Sequence, residues 1–271
     1  MPIIPAEQLP IEVYHSSAPA WLSKTSIRDY LEHGPSWFRQ AYIDKTLARQ
    51  TPGGAEQGQA LDCYLTEGEE VFVKRYVVKP PELSLATKEG KAWKEAHAGR
   101  KVISHEDSEI LADAVAAVVT HPQWAGIQCA RAQTTIRRYS QGLGLGLQSR
   151  PDWLDVNRGI LYDLKKTRDL SRFGAQAIDL GYHIQAAIAG WCLAGESIPL
   201  EHAYLVAVEW ERGARCRVYE IPQEALAHAE QTMRQAAAEI ADRIKRDYWT
   251  DNQSQIEQLP IPEYLMRKMS A

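Results

Sequence analysis

The segment that most constrains this chain runs Arg150-Pro151-Asp152-Trp153-Leu154-Asp155-Val156-Asn157-Arg158-Gly159-Ile160-Leu161-Tyr162-Asp163-Leu164-Lys165. It reads as two strands joined by a tight turn at Val156-Asn157-Arg158-Gly159. Alternation puts Asp163 and Lys165 on one face of the second strand and Ile160, Tyr162 and Leu164 on the other. With the turn centred between Asn157 and Arg158, Asp152 faces Asp163; a loop of another length would shift that pairing. Two carboxylates opposed on one sheet face repel unless positive charge lies between them. A hard cation such as Mg²⁺ meets that need, because it takes oxygen ligands and uses only one or two protein carboxylates. Lys165 then stands beside the cation, placed to hold a water or a phosphate oxygen.

The rest of the chain sets limits on this reading. Its 271 residues, 45% apolar and 24% charged, have ordinary globular composition and are enough for a large core. Cys63, Cys129, Cys192 and Cys216 form no C-x-x-C pair. That argues against zinc or iron–sulfur sites and fits a reducing cytoplasm, the expected location. No signal peptide and no membrane-spanning stretch is expected. A net charge of −4 counts mildly against nucleic-acid binding. It does not exclude a nuclease, which concentrates acid at its metal and base along its groove. Of the local basic groups, Lys165-Lys166-Arg168-Arg172 beside the acidic motif is favoured over Lys74-Arg75, Arg137-Arg138 and Arg243-Lys245-Arg246 for a phosphate contact.

One domain over 1–271 is expected, with a mostly helical part at 1–130, a core at 131–250 and an extended tail at 251–271. Residues 1–20 read as an extended arm. A helix follows, capped by Thr25 or Ser26 and broken at Gly34-Pro35. Thr51-Pro52-Gly53-Gly54 reads as a loop, Glu56 to Thr66 as a helix and Val71 to Val78 as a strand. Residues 84–98 read as a polar helix, and Ser104 with Asp107 caps the next one. Strands are predicted over Thr134–Tyr139, Leu145–Leu154 and Arg158–Lys165, and one long helix over 172–194. A hairpin of His202–Trp210 with Arg215–Ile221 precedes a last helix from Pro222 to about Tyr248. This order implies an α/β (α+β) fold with a central mixed sheet flanked by helices and a helical N-terminal extension.

Pro151-Asp152 followed by Asp163-Leu164-Lys165 resembles the PD-(D/E)XK nuclease pattern. Asp163-Leu164-Lys165-Lys166-Thr167 is similar to the Asp-x-Lys-x-Thr variant of phage recombination exonucleases, and Tyr182-His183-Ile184-Gln185 to the Tyr-x-x-Gln element on the following helix. Ser23-Lys24-Thr25-Ser26, Pro35-Ser36-Trp37-Phe38 and Gly58-Gln59-Ala60-Leu61 resemble that subfamily's N-terminal helices. Over residues 20–220 the chain resembles the nuclease domain of exonuclease VIII, the RecE type. The resemblance implies a restriction-endonuclease-like core and Mg²⁺ dependence, with Mn²⁺ able to substitute. It also implies 5′-to-3′ degradation of linear duplex DNA from its ends, leaving 3′ single-stranded tails for recombination. A ring-shaped homo-oligomer and a single-strand annealing partner are implied too.

On this reading Asp152, Asp163 and the Leu164 backbone carbonyl hold the metal. Lys165 orients the water and stabilises the transition state, and Gln185 contacts the nucleophile or the lysine. Tyr182 and Thr167 have supporting roles, Thr167 more structural than catalytic. Relatives commonly carry a metal-binding His after the Gly-x-Ala-Leu segment, where this chain has Asp62. Either the carboxylate serves Mg²⁺ in its place or the position has left the site. Two other readings compete: a site- or structure-specific endonuclease on the same core, and a DNA-binding subunit with a degenerate site. A Cas4-like nuclease fits less well, since it needs cysteines for a cluster.

Overall fold

The computed structural model describes residues 3–47 and 54–251, together with 261, 262, 265 and 267. The loop expected at Thr51-Pro52-Gly53 and most of the tail beyond 251 lie outside the described residues. The segment expected to be an extended arm, residues 1–20, instead contains β1 (Ile3–Ile4) and α1 (Ile11–Ser16), and β2 (Trp21–Leu22) follows it. Residues of the later strands Thr135–Ser140 and Leu145–Ser149, and of the segment after them, hold it in place. Arg150 donates to the Leu9 carbonyl, Gln148 to the Tyr14 carbonyl at 2.8 Å and Arg137 to the Ser17 hydroxyl at 3.2 Å.

The next helix, α2 (Lys24–Phe38), is capped by Ser23, not by Thr25 or Ser26. Ser26 instead closes the reciprocal capping box, its hydroxyl accepting from the Ser23 N–H at 2.8 Å. Gly34, at φ 81°, breaks the helix where expected. After α3 (Ala55–Asp62) the chain widens into a π turn over Cys63–Glu67. The strand expected over Val71–Val78 is mostly helix: α4 (Glu69–Arg75) precedes the short β3 (Tyr76–Val78). The β-branched run misleads here. Only Phe72 on α4 is buried, and Glu69 and Glu70 at its start with Lys74 and Arg75 at its end complement the helix dipole.

Then come α5 (Lys88–Ala96), β4 (Lys101–Ile103), α6 (His105–Val119) and α7 (Trp124–Ile127). The Ser104 hydroxyl caps α6 as expected, accepting from the Asp107 N–H at 2.9 Å. The strand-rich region begins with β5 (Arg131–Ala132), β6 (Thr135–Ser140), β7 (Leu145–Ser149), β8 (Trp153–Asp155) and β9 (Ile160–Thr167). The single strand expected over Leu145–Leu154 is thus two, β7 and β8, in different sheets. Pro151, which has no N–H for a ladder, falls at the crossing. The helix expected over 172–194 is also two, α8 (Phe173–Asp179) and α9 (Tyr182–Ala194), parted by Gly181 at φ 68°. The chain continues through β10 (His202–Glu209), β11 (Cys216–Glu220) and α10 (Gln223–Arg246).

The main sheet has the order β11-β10-β9-β8-β5. β9 and β10 run parallel, with α8 and α9 in the crossover, and the other pairs are antiparallel. A second sheet has the order β1-β6-β7-β2. The β8–β9 register pairs Trp153 with Tyr162, Leu154 with Leu161 and Asp155 with Ile160, as expected of a turn centred between Asn157 and Arg158. The Asp155 carboxylate accepts the N–H groups of Asn157 and Arg158, both at 3.1 Å, which fixes that turn.

Both faces of the main sheet are covered. Trp153, Ile160, Tyr162, Leu164, Val206 and Val208 pack with residues of α3, α4 and α6. Leu154, Leu161, Ala203, Leu205 and Ala207 pack with α2, α9 and α10. The result is the mixed α/β fold expected from the sequence. α9 buries residues on nearly all sides, including Ile184, Ile188, Trp191 and Leu193, so it is the central helix of that second layer.

Candidate active site

The candidate residues gather at the seam between the two sheets. Two connections cross it side by side: β5 to β6 through Gln133, and β7 to β8 through Asp152. The Gln133 N–H donates to the Asp152 carbonyl at 2.9 Å, tying the crossings together. Asp152 lies one residue before the first β8–β9 pair, and the register continues it to a position facing Asp163. Its Oδ2 accepts the backbone N–H of Leu164 at 2.5 Å, which anchors the carboxylate across the hairpin.

On the α9 side of β9, Asp163 is 3% exposed. Its Oδ1 accepts from the Gln185 amide at 2.8 Å. Its Oδ2 is ion-paired with the Lys165 ammonium. The Lys165 ammonium also donates to the Leu164 carbonyl at 3.1 Å and lies 4.9 Å from the centre of the Tyr182 ring. Gln185 was expected to touch the nucleophile or the lysine; here its partner is the Asp163 carboxylate. Tyr182 and Gln185 share a face because they are three residues apart in α9. The break at Gly181 starts that helix immediately before Tyr182.

Asp62, the last residue of α3, joins this cluster. The Gln133 side-chain amide donates to Asp62 Oδ1 and Oδ2 at 2.9 and 3.1 Å and to Asp152 Oδ1 at 3.3 Å. Thr167 takes another direction. Its hydroxyl bonds the Gln176 side-chain oxygen at 2.8 Å and the Asp169 carbonyl at 3.2 Å, closing the end of β9. The sequence reading passed over two members of the neighbourhood. Gln133 is one. Lys24 is the other, its ammonium 5.5 Å from the Tyr182 ring on the first turn of α2. Lys24 lies in the quoted Ser23-Lys24-Thr25-Ser26 string, which was its only sequence signal. Nothing in the sequence singles out Gln133.

Electrostatics mark the cluster as short of positive charge. Burial raises the Asp62 carboxyl to about 6, against a hydrogen bond with Asp152 and the charge of Lys165, which lower it, and with Glu67 and Asp163 adding to the rise. Asp152 is raised well above the ordinary carboxylate range, by burial first and then by Asp62 and Asp163. Burial opposes the charge on Lys165, but Asp163 and Asp152 together outweigh it and raise its pKa. Burial and the nearby Lys165 lower Lys24 to about 8.

These residues fit a hard divalent cation. Three carboxylates, Asp62, Asp152 and Asp163, lie close enough to raise one another's charge cost and share one close ammonium, that of Lys165. Among the described residues no three His, Cys, Asp or Glu side chains form a ready-made metal cage. Mg²⁺ does not need one, since it keeps several waters and binds through one or two carboxylates.

Of the other basic groups, Arg137 bonds Gln148, and Arg138 lies 4.4 Å from the Trp191 ring centre and donates to the Trp191 carbonyl. Both are thereby tied to the fold. No described helix is long and apolar enough to cross a membrane.

No protein-family model matches the chain, and no curated protein matches it. Among solved structures, a candidate exonuclease of Eubacterium rectale is similar over 95% of this chain and 97% of its own, at 12% identity and a TM-score of 0.64. A phage-related exonuclease of Haemophilus somnus 129PT aligns with 69% of this chain and 94% of its own, at 13% identity and a TM-score of 0.33. The first likeness, at that identity, is one of fold.

Proposed function

We propose that the chain is a Mg²⁺-dependent deoxyribonuclease that hydrolyses phosphodiester bonds of linear duplex DNA from its ends. The observation that carries this reading is the meeting of Asp152, Asp163, Lys165 and Gln185 at one seam. Within it, the carboxylates of Asp152 and Asp163 share one close ammonium, that of Lys165, which is paired with Asp163 Oδ2. The exonuclease name of the fold neighbour supports it, as does the sequence resemblance to RecE-type nucleases. The expected polarity is 5′ to 3′, with 3′ single-stranded tails destined for recombination. A homo-oligomeric ring and a single-strand annealing partner complete the proposal.

Asp152 and Asp163 would hold the cation, with Asp62 and the Leu164 carbonyl as further oxygen donors. When bound, Mg²⁺ supplies Lewis acidity, lowering the pKa of a coordinated water and neutralising phosphate charge. The remaining work belongs to side chains. Gln185 donates to Asp163 Oδ1, which fixes the carboxylate with its Oδ2 on the Lys165 ammonium, where a cation would join the pair. Lys165, held over the Tyr182 ring, orients the attacking water and stabilises the charge that builds on the phosphate oxygens. The water oxygen bonds to phosphorus as the P–O bond to the leaving sugar oxygen breaks; the attacking water gives up a proton to solvent and the leaving oxygen takes one from solvent. Lys24, half-buried near the same ring, adds a second positive charge beside Lys165.

The specific reading is tested by digesting linear duplex, labelled at either the 5′ or the 3′ end, beside closed circular duplex in Mg²⁺. Early release of the 5′ label with the circle intact is expected. Cutting of the circle would replace the exonuclease with an endonuclease on the same core. DNA binding without cleavage of either substrate would leave a binding subunit.

A further inference from the structure

Gln133 has two features that its position between strands does not require. Its backbone is left-handed, at φ 49°, a conformation that residues other than glycine rarely adopt. Its side chain is turned onto two buried carboxylates, Asp62 and Asp152, that lie against each other. Strained backbone that aims a side chain into a polar cluster points to a role for that side chain. The left-handed turn is held by the bond from the Gln133 N–H to the Asp152 carbonyl. From there the amide nitrogen reaches both oxygens of Asp62 and Oδ1 of Asp152, with the Thr66 hydroxyl at 3.5 Å.

We propose that Gln133 is a positioning residue that holds Asp62 and Asp152 together in the geometry that binds the divalent cation. This rests on the metal-dependent reading above. The amide suits the task for a chemical reason. It offers two N–H donors without a charge. A lysine there would neutralise a carboxylate and compete with the cation, and a glutamate would add to the repulsion. The neutral amide bonds both carboxylates at once and adds no charge that would compete with the cation. Asp62 on α3 is thereby joined to the β7–β8 crossing, although the two are 90 residues apart in sequence.

The test is calorimetric titration of Mn²⁺ into the full chain without DNA, for wild type and for Gln133→Met, which keeps the bulk and loses the donors. The expected result is Mn²⁺ affinity weakened about tenfold or more, with unchanged far-UV circular dichroism. Affinity within twofold of wild type would overturn the proposal. Gln133→Glu gives a second readout that a merely structural role would not move. Its Tm should fall in EDTA, and Mn²⁺ should raise it by more than it raises wild type. A gain no larger than wild type's would also overturn the proposal, and this arm decides if Gln133→Met does not fold. Wild type that takes up no Mn²⁺ would sink both this proposal and the metal reading. Wild type that binds Mn²⁺ and shows both effects, yet cuts no DNA, would leave Gln133 as proposed and remove the nuclease.

Discussion

Replacing Lys165 by methionine is expected to lower nucleotide release from linear duplex in saturating Mg²⁺ by about 10²–10³-fold, the usual cost of removing one preorganised charge-stabilising donor. The ammonium is poised by three contacts: the Asp163 ion pair, the Leu164 carbonyl and the Tyr182 ring. Lys24 cannot stand in for it. Lys24 extends from α2, not from β9, and its ammonium lies 5.5 Å from the Tyr182 ring centre. The same substitution has a stability cost that metal should reverse. With its ammonium gone, Asp163, 3% exposed, keeps only the Gln185 amide. Removing one partner of a buried pair costs about 3–5 kcal/mol. Urea denaturation should therefore show a clear loss in EDTA and a smaller one in Mg²⁺. Undiminished nucleotide release by the variant would remove Lys165 from the mechanism.

The second large effect is a gain. Asp62→Asn is expected to stabilise the protein at pH 7.5 in EDTA by about 1–3 kcal/mol, equivalent to several degrees in Tm. The Asp62 carboxyl is raised to about 6, chiefly by burial, whereas an unfolded aspartate titrates near 3.9. Between these values the folded protein binds more protons than the unfolded chain, so stability falls as pH rises. The loss begins near pH 4 and is complete above about pH 6. Asparagine removes the charge and keeps an oxygen that can accept from Gln133. The variant should thus be flatter than wild type from pH 4 to 6.5, and Mg²⁺ should raise its Tm by less. A variant less stable than wild type at pH 7.5 in EDTA would show that Asp62 is not the strained carboxylate described.

Much of the site was legible because it rests on a period of two. Alternation placed Asp163 and Lys165 together, and the Val156–Gly159 turn set the register that brings Asp152 opposite Asp163. The same alternation hid the crossing at Arg150-Pro151-Asp152, since Leu145 to Leu154 reads as one strand whichever sheet each half joins. Local preference also misled at Val71–Phe72–Val73, where burial of Phe72 alone and charges matched to the helix dipole favour α4. The Ala-rich run through Gly181 showed no sign that a left-handed glycine would start α9 just before Tyr182. Asp62 was uncertain from sequence because its place depends on where α3 ends against the seam. Gln133 was invisible, since neither its left-handed backbone nor its reach to Asp62 leaves a trace in composition or periodicity.

The most direct test of the central claim, that the Asp152–Asp163–Lys165 seam binds a divalent cation and hydrolyses DNA, compares wild type with Asp163→Asn on linear duplex, in Mg²⁺ and in EDTA. Both proteins are first shown to be folded by circular dichroism. Nucleotide release by wild type in Mg²⁺, absent in EDTA and reduced about 10²-fold or more in the variant, is the expected result. Release that persists in EDTA, or that survives in Asp163→Asn, would contradict it.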